Sequence, residues 1–173
     1  DLLAQDIDVI IDKVGLGKRA KENTKFLILP TNKAGPSEVV CGEKMSRFLT
    51  LYKVNNFSEA IDLAIKIQDY QGAGHSLGIH TQNEDRAHKI AMSAKTCRVI
   101  VNQAHCFATG GFFNNGLPFS LSMGCGSWGG NSIDGNLNWE HFVNKVRVVQ
   151  TIAENKPDLE EIFGDYWGKL LSE

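Results

Sequence analysis

The chain has 173 residues, 42% hydrophobic and 22% charged, enough for one sizeable core and little more. A net charge of -2 gives no reason to expect nucleic acid or an acidic membrane as partner. No apolar run approaches the ~20 residues of a membrane span and no signal peptide is visible, so no membrane association is expected, and a start at Asp1 is compatible with a processed or cut piece.

Leu2 to Val14 places apolar residues at 2, 3, 7, 9, 10, 11 and 14, the pattern of a helix packed on one face, and Gly15 and Gly17 end it. Phe26 to Leu29 is an apolar run stopped by Pro30, which predicts a short buried strand; Thr31 to Glu38 is a loop turning at Gly35-Pro36. Phe48 to Val54 is the next strand. Ser58 is the expected N-cap of a helix over 59–69, with Ile61, Leu63, Ala64 and Ile67 as its stripe. Gly72-Ala-Gly74 breaks it, and 76–81 is a compact strand. A helix over 86–94 and a strand at Val99-Ile-Val101 follow. Helices alternating with short apolar strands predict an α/β fold with a parallel or mixed sheet.

From Arg98 to Ser132 the chain carries seven glycines and almost no charge. Such a backbone is expected to pack closely against a ligand or another part of the protein. Beyond it, 138–144 suits a short helix. Lys145-Val-Arg-Val-Val149 alternates charge with valine, as an exposed strand does, and the tail after Pro157 starts a capped helix with Phe163, Tyr166 and Trp167. An aromatic tail after an edge strand suggests docking onto another subunit or domain.

Cys41, Cys97, Cys106 and Cys125 show neither C-x-x-C pairing nor metal-ligand spacing with histidine, so no metal is expected. Unpaired cysteines in a chain without a visible signal suit a reducing cytoplasm. Gly124-Cys-Gly126-Ser-Trp-Gly129 spells G-x-G-x-x-G, but no helix-forming text follows it and no acidic residue sits at a strand end ~20 residues on, which excludes a dinucleotide fingerprint. His75 lies between glycine-rich text and a strand. His105 lies inside the glycine-rich stretch and is a candidate to face a ligand, whereas His80 and His88 read as surface residues. Glu43 alone is a solvated carboxylate. No G-x-S-x-G elbow is present, and no cysteine has the context of a nucleophile.

The order of the pieces carries a resemblance. Cys41-Gly-Glu-Lys-Met-Ser-Arg47 is followed by Gly72-Ala-Gly-His-Ser-Leu-Gly-Ile-His-Thr81, Arg98-Val-Ile-Val-Asn102 and Leu121-Ser-Met-Gly-Cys-Gly-Ser-Trp-Gly-Gly-Asn-Ser132. Over nearly its whole length the chain resembles the C-terminal part of the aldehyde dehydrogenase catalytic domain, in the coenzyme-A-acylating branch. The resemblance implies a three-layer α/β fold with helices on both faces of the sheet, over 1–138. It implies an oligomerisation strand and tail over 139–173, and hence a homo-oligomer. It gives Glu43 a place near the nicotinamide ribose of NAD or NADP. It gives His75 a place near the reacting centre, where an imidazole orients substrate or takes the proton of the coenzyme A thiol.

In that family a cysteine thiolate attacks the aldehyde, hydride leaves to NAD(P)+, and coenzyme A removes the acyl group from the resulting thioester. Both the nucleotide-binding domain and the nucleophile lie, in relatives, before the point matching Asp1, and none of the four cysteines matches that nucleophile. The chain is therefore expected to be inactive alone and to work beside that N-terminal part. The stretch around Asn114 reads closest to the sulfoacetaldehyde branch, with succinate semialdehyde and acetaldehyde behind it. A small anionic aldehyde needs a cationic or amide anchor, for which Arg47, Asn114 and Asn115 are candidates beside His105; Arg47 also reads as a surface residue capping a turn. The compartment implied is the cytoplasm or a bacterial microcompartment. The competing readings are a non-acylating aldehyde dehydrogenase and a non-catalytic assembly or regulatory module.

Overall fold

A computed structural model of the chain describes residues 4–170, so Leu2 and Leu3 of the first expected helix and the last three residues of the tail lie outside the described residues. Helix α1 is Ile7–Lys13, shorter than its apolar text. Ile7, Ile10 and Ile11 are its buried stripe at i, i+3, i+4 spacing, and Ile10 and Ile11 are fully enclosed.

Strands β1 (Leu27–Pro30) and β2 (Phe48–Leu51) form a parallel pair, with Leu27 opposite Phe48 and Pro30 opposite Leu51. The loop between them folds back on β2: the Thr50 hydroxyl donates to the Val40 carbonyl, and the buried Cys41 thiol donates to the Gly35 carbonyl at 3.3 Å. The strand expected to be buried here is not. Ile28, Leu29, Leu49 and Leu51 are all exposed, because the described residues lay nothing across these side chains. Parallel strands with apolar side chains on both faces ordinarily have both faces covered.

Helix α2 is Phe57–Tyr70. Its N-cap is Asn56 rather than Ser58: the Asn56 side-chain oxygen accepts the Glu59 N–H at 3.0 Å, while the Glu59 carboxylate accepts the Asn55 N–H at 2.9 Å. Asn56 thus caps α2, and the Glu59 carboxylate reaches one residue further back than the return bond of a capping box, to the residue before the cap. Strands β3 (Leu77–Ile79) and β4 (Val99–Val101) are a second parallel pair, joined through helix α3 (Glu84–Ser93). The Arg86 guanidinium of α3 lies 5.1 Å from the Phe57 ring centre of α2, and an apolar cavity of about 310 Å³ sits between these helices and the Leu77 and Ile79 side of β3. The strands thus make two separate parallel pairs, within an α/β arrangement of short strands and helices.

After β4 comes a single helical turn, α4 (His105–Ala108), and then a hairpin over 122–137. Its rungs are Gly124 N–H to Gly135 carbonyl, Gly126 N–H to Ile133 carbonyl and Leu137 N–H to Ser122 carbonyl, each 2.9 Å. A Cβ at Gly124 would collide with the Ile133 carbonyl, and one at Gly74 with the Cys125 carbonyl. The glycine-rich backbone is therefore packed against its own chain, at the turn that leads into β3. The G-x-G-x-x-G amides of Gly124, Cys125, Gly126 and Gly129 all donate within this hairpin, so they are not turned toward a phosphate.

The helix expected over 138–144 is a 3-10 turn, Trp139–Phe142. The chain divides between Phe142 and Val143 into two compact units. In the second unit, residues 145–149 take no part in a strand ladder among the described residues, and Val146, Val148 and Val149 are exposed. The tail forms helix α5 (Leu159–Leu170), started by the Asp158 carboxylate accepting the Glu160 N–H at 2.8 Å, with the Phe163 and Trp167 rings 5.9 Å apart one turn along. None of the described helices is long and apolar enough to cross a membrane.

Candidate functional site

The text Gly74-His-Ser-Leu forces a tight turn straight into β3. His75 donates its N–H to the Gly72 carbonyl at 3.1 Å, and Leu77 is already in ladder contact with the Arg98 carbonyl at 2.9 Å. A two-residue step from turn to strand leaves the His75 ring exposed while its backbone is held at both sides.

What holds it is Arg98, at the start of β4 and only 6% exposed. Its guanidinium donates to the His75 carbonyl at 3.0 Å, to the Gly124 carbonyl at 2.8 Å and to the Asn136 side-chain oxygen at 3.1 Å. Asn136, 2% exposed, passes its own two N–H bonds to the Thr109 carbonyl at 2.9 Å and the Pro118 carbonyl at 2.8 Å. A buried guanidinium without hydrogen bonds is costly, and here three neutral oxygens, from the β3 turn and the hairpin, satisfy it. Arg98 and Asn136 together thereby tie the β3 turn, the hairpin and the loop after α4 into a single clasp.

On the side-chain level, His75 Nδ1 lies 2.9 Å from Ser76 Oγ, and Ser76 Oγ lies 2.8 Å from His105 Nε2. His105 opens α4 and is half-buried, with its ring laid over Gly78 of β3. A Cβ at position 78 would sit 2.8 Å from His105 Nδ1. Burial lowers the proton affinity of His105, and the neighbouring His75 lowers it further, so its neutral form is favoured. Strand alternation separates the two sides of β3: Leu77 and Ile79 line the apolar cavity, while position 78 faces the imidazole.

The remaining sequence candidates are placed as follows. Glu43 is exposed, with its backbone N–H donated to the Gln71 side chain at 2.7 Å, just before the turn that carries His75. Next to it, Lys44 donates to the Gly42 carbonyl at 2.8 Å, and burial lowers its proton affinity. Arg47 is exposed at the start of β2, its carbonyl accepting the Leu27 N–H at 2.9 Å. Asn114 is exposed. Asn115 holds its own loop: its oxygen accepts from Phe112 and Leu117, and its nitrogen donates to Gln103 at 3.1 Å and the Ala108 carbonyl at 3.2 Å. The structure thus joins His75 with His105 and anchors Glu43 near the same turn; among the described residues no hydrogen bond links Arg47 or Asn114 to that group.

Ser76, Arg98 and Asn136 escaped the sequence reading. A signal existed for Arg98, since a charge directly before a buried Val-Ile-Val strand requires partners.

No protein-family model matches the chain. The sulfoacetaldehyde dehydrogenase (acylating) of Cupriavidus necator is 42% identical over 161 residues, which are 93% of this chain and 33% of that protein. The succinate-semialdehyde dehydrogenase (acetylating) of Clostridium kluyveri is 38% identical over 164 residues, 94% of this chain and 36% of that protein. The chain belongs to the acylating aldehyde dehydrogenase family. It spans about a third of the length of the curated relatives it matches. The fold agrees: the solved acetylating aldehyde dehydrogenase of Geobacillus thermoglucosidasius superposes with a TM-score of 0.77 at 27% identity, over 91% of this chain and 34% of that one. In this member of the acylating aldehyde dehydrogenases, the described residues bring two imidazoles together on one serine hydroxyl. Among the described residues no group of three or more His, Cys, Asp or Glu is arranged to hold a metal ion.

Proposed function

We propose that this chain is the C-terminal part of the catalytic domain of an NAD(P)-dependent, coenzyme-A-acylating aldehyde dehydrogenase, which converts an aldehyde, coenzyme A and NAD(P)+ to acyl-CoA and NAD(P)H. The observation that supports this is the 42% identity, along 93% of the chain, to a protein named as an acylating sulfoacetaldehyde dehydrogenase. The rest of the domain, with its nucleotide-binding part and its nucleophilic cysteine, completes the site and the three-layer sheet, and the 173 residues alone do not turn over. NAD(P)+, when bound, accepts the hydride.

The residues of this chain take the following parts. Glu43, with an anchored backbone and an exposed carboxylate, suits the acceptance of ribose hydroxyls. His75 takes the thiol proton of coenzyme A on Nε2, the ring nitrogen left over once Nδ1 is bound to Ser76. His105, Asn114, Asn115 and Arg47 contribute to the wall of the aldehyde pocket, where an amide or guanidinium suits a small anionic aldehyde. Sulfoacetaldehyde is the first choice of substrate and succinate semialdehyde the second, after the names of the relatives. Residues 145–149 pair as a strand with a partner subunit in a homo-oligomer, a role their exposed alternating valines fit. The four free thiols suit the cytoplasm or a microcompartment within it.

The test is a panel of these aldehydes, with acetaldehyde, assayed for NAD(P)H formation by the complete protein with and without coenzyme A. The expected result is turnover that depends on coenzyme A and favours the sulfonate. Turnover indifferent to coenzyme A identifies a non-acylating enzyme instead.

A further inference from the structure

We infer that Ser76 and His105 are positioning residues for His75, fixing it as the tautomer that carries its proton on Nδ1 and presents a bare Nε2 to the incoming thiol. This rests on the proposed role of His75 in acyl transfer to coenzyme A.

The geometry is a three-membered chain. A serine hydroxyl has one proton and two lone pairs, and here it lies between two imidazole nitrogens, 2.9 Å from His75 Nδ1 and 2.8 Å from His105 Nε2. It donates to one ring and accepts from the other. If Ser76 donates to His105 Nε2, the hydroxyl oxygen accepts the His75 Nδ1–H, and Nε2 of His75 keeps its lone pair. The reverse order leaves a proton on Nε2 and turns His75 into an acid. The first order is the one the base role of His75 requires: a neutral His105, which burial favours, then carries its single proton on Nδ1 and offers Nε2 as the acceptor of the Ser76 hydroxyl.

The placement of His105 is itself built in. Its ring occupies the space above Gly78, where any side chain would strike Nδ1, and it is fixed at the head of α4 by the Thr109 amide and hydroxyl bonds to its carbonyl at 3.2 and 3.1 Å. The backbone of His75 is fixed separately by Arg98. The ring is thus oriented by one set of bonds and the main chain by another.

When the thiol approaches, its S–H bond breaks and an N–H bond forms at Nε2; the thiolate then bonds to the acyl carbon as the C–S bond to the enzyme's cysteine, outside this chain, breaks and that cysteine leaves as a thiolate. The imidazolium that results keeps its Nδ1–H on Ser76 Oγ, whose own proton stays directed at His105. No proton needs to leave the triad until the thiolate has reacted.

The experiment uses the complete enzyme and separates its two half-reactions: the burst of NAD(P)H on mixing with aldehyde, and the transfer of the acyl group to coenzyme A. In S76A, transfer is expected to slow about 10- to 100-fold, with the burst rate and the aldehyde KM changed less than about two-fold; in H105F, transfer is expected to slow to a similar extent, over and above any change in the burst. S76T, which keeps the hydroxyl, is expected to restore most of the transfer rate. Should S76A lose its burst through misfolding, S76C keeps the side-chain volume without the strong acceptor and is read in the same way. H75A is the control. If H75A slows transfer but S76A and H105F do not, the positioning role is overturned while the acylating reading stands. If H75A leaves transfer unchanged, the role of His75 itself falls. Equal losses of burst and transfer in every folded variant mark a merely structural triad and also overturn the inference. Nitrogen-15 imidazole shifts of the complete enzyme supply a readout apart from rate: His75 protonated on Nδ1 is expected, and protonation on Nε2 contradicts it.

Discussion

The two parallel strand pairs are alike in length and in apolar text, yet they are finished to different degrees. Around β3 and β4 the chain satisfies itself: Ile100 is buried, Arg98 and Asn136 are enclosed with hydrogen bonds from three segments, and a glycine hairpin closes over the turn. Around β1 and β2 the apolar side chains lie open, with Ile28 and Leu49 each at least half exposed. Enclosure by polar bonds is specific and local, because each donor must meet its acceptor within about 3 Å. Apolar cover is non-directional and is available from any sufficiently large neighbouring surface. The β3–β4 pair therefore carries what its own neighbourhood needs, and we propose that the β1–β2 pair takes its cover from parts of the complete protein outside this chain.

The sharpest way to break this contrast is to remove Arg98. R98A strands two carbonyls and the Asn136 oxygen in a buried place, and a loss of about 3–5 kcal/mol in unfolding free energy is expected. Denaturant unfolding of the complete protein measures it. R98K keeps the charge but not the fork, so it recovers only part of the loss. A loss below about 1 kcal/mol in R98A would mean that the clasp is not what holds the β3 turn.

Legibility followed the same divide. The strands at β1, β2, β3 and β4 and the helices α2, α3 and α5 were readable from periodicity and stop signals, because each is a local pattern. Ser58 matches the usual cap preference as well as Asn56 does, and only the Asn56 side-chain oxygen accepting the Glu59 N–H decides between them. His75 and Glu43 take their proposed roles from resemblance, since a lone histidine and a lone carboxylate have no local signature. The Ser76–His105 contact spans 29 residues and the Arg98–Asn136 contact 38, distances at which no periodic pattern reports. The exposure of β1 was misread for the opposite reason. Four apolar residues before a proline do predict burial, but sequence does not say which chain segment supplies the cover.

A smaller effect than that of R98A is expected with pH, and it again separates the two regions, since neither Leu27–Pro30 nor Phe48–Leu51 contains an ionisable side chain. Burial lowers the proton affinity of His105 in the folded state below the ordinary value of 6.5. The unfolded chain then binds this proton more readily than the folded one. The contribution is fully present above pH 6.5 and is lost as pH falls from there toward the lower, folded value. Melting temperatures between pH 7.5 and 5 are expected to decline, and H105N is expected to flatten that decline. An unchanged slope in the variant would place the acid sensitivity elsewhere.

The smallest effect is expected on the open strands, and its smallness is the informative part. In the 173-residue chain, L49T and I28T replace exposed aliphatic side chains by a smaller one that carries a hydroxyl, so each is expected to move stability by no more than about 0.5 kcal/mol. In the complete enzyme the same substitutions bury a hydroxyl against whatever covers the strands, and the cost should rise to about 1–3 kcal/mol. The difference between the two measurements, not either one alone, reports the cover. Equal, small effects in both forms would mean that these faces stay open in the whole protein. An effect already large in the short chain would mean that the strands find their cover within it, and that the contrast between the two pairs is one of packing rather than of completeness.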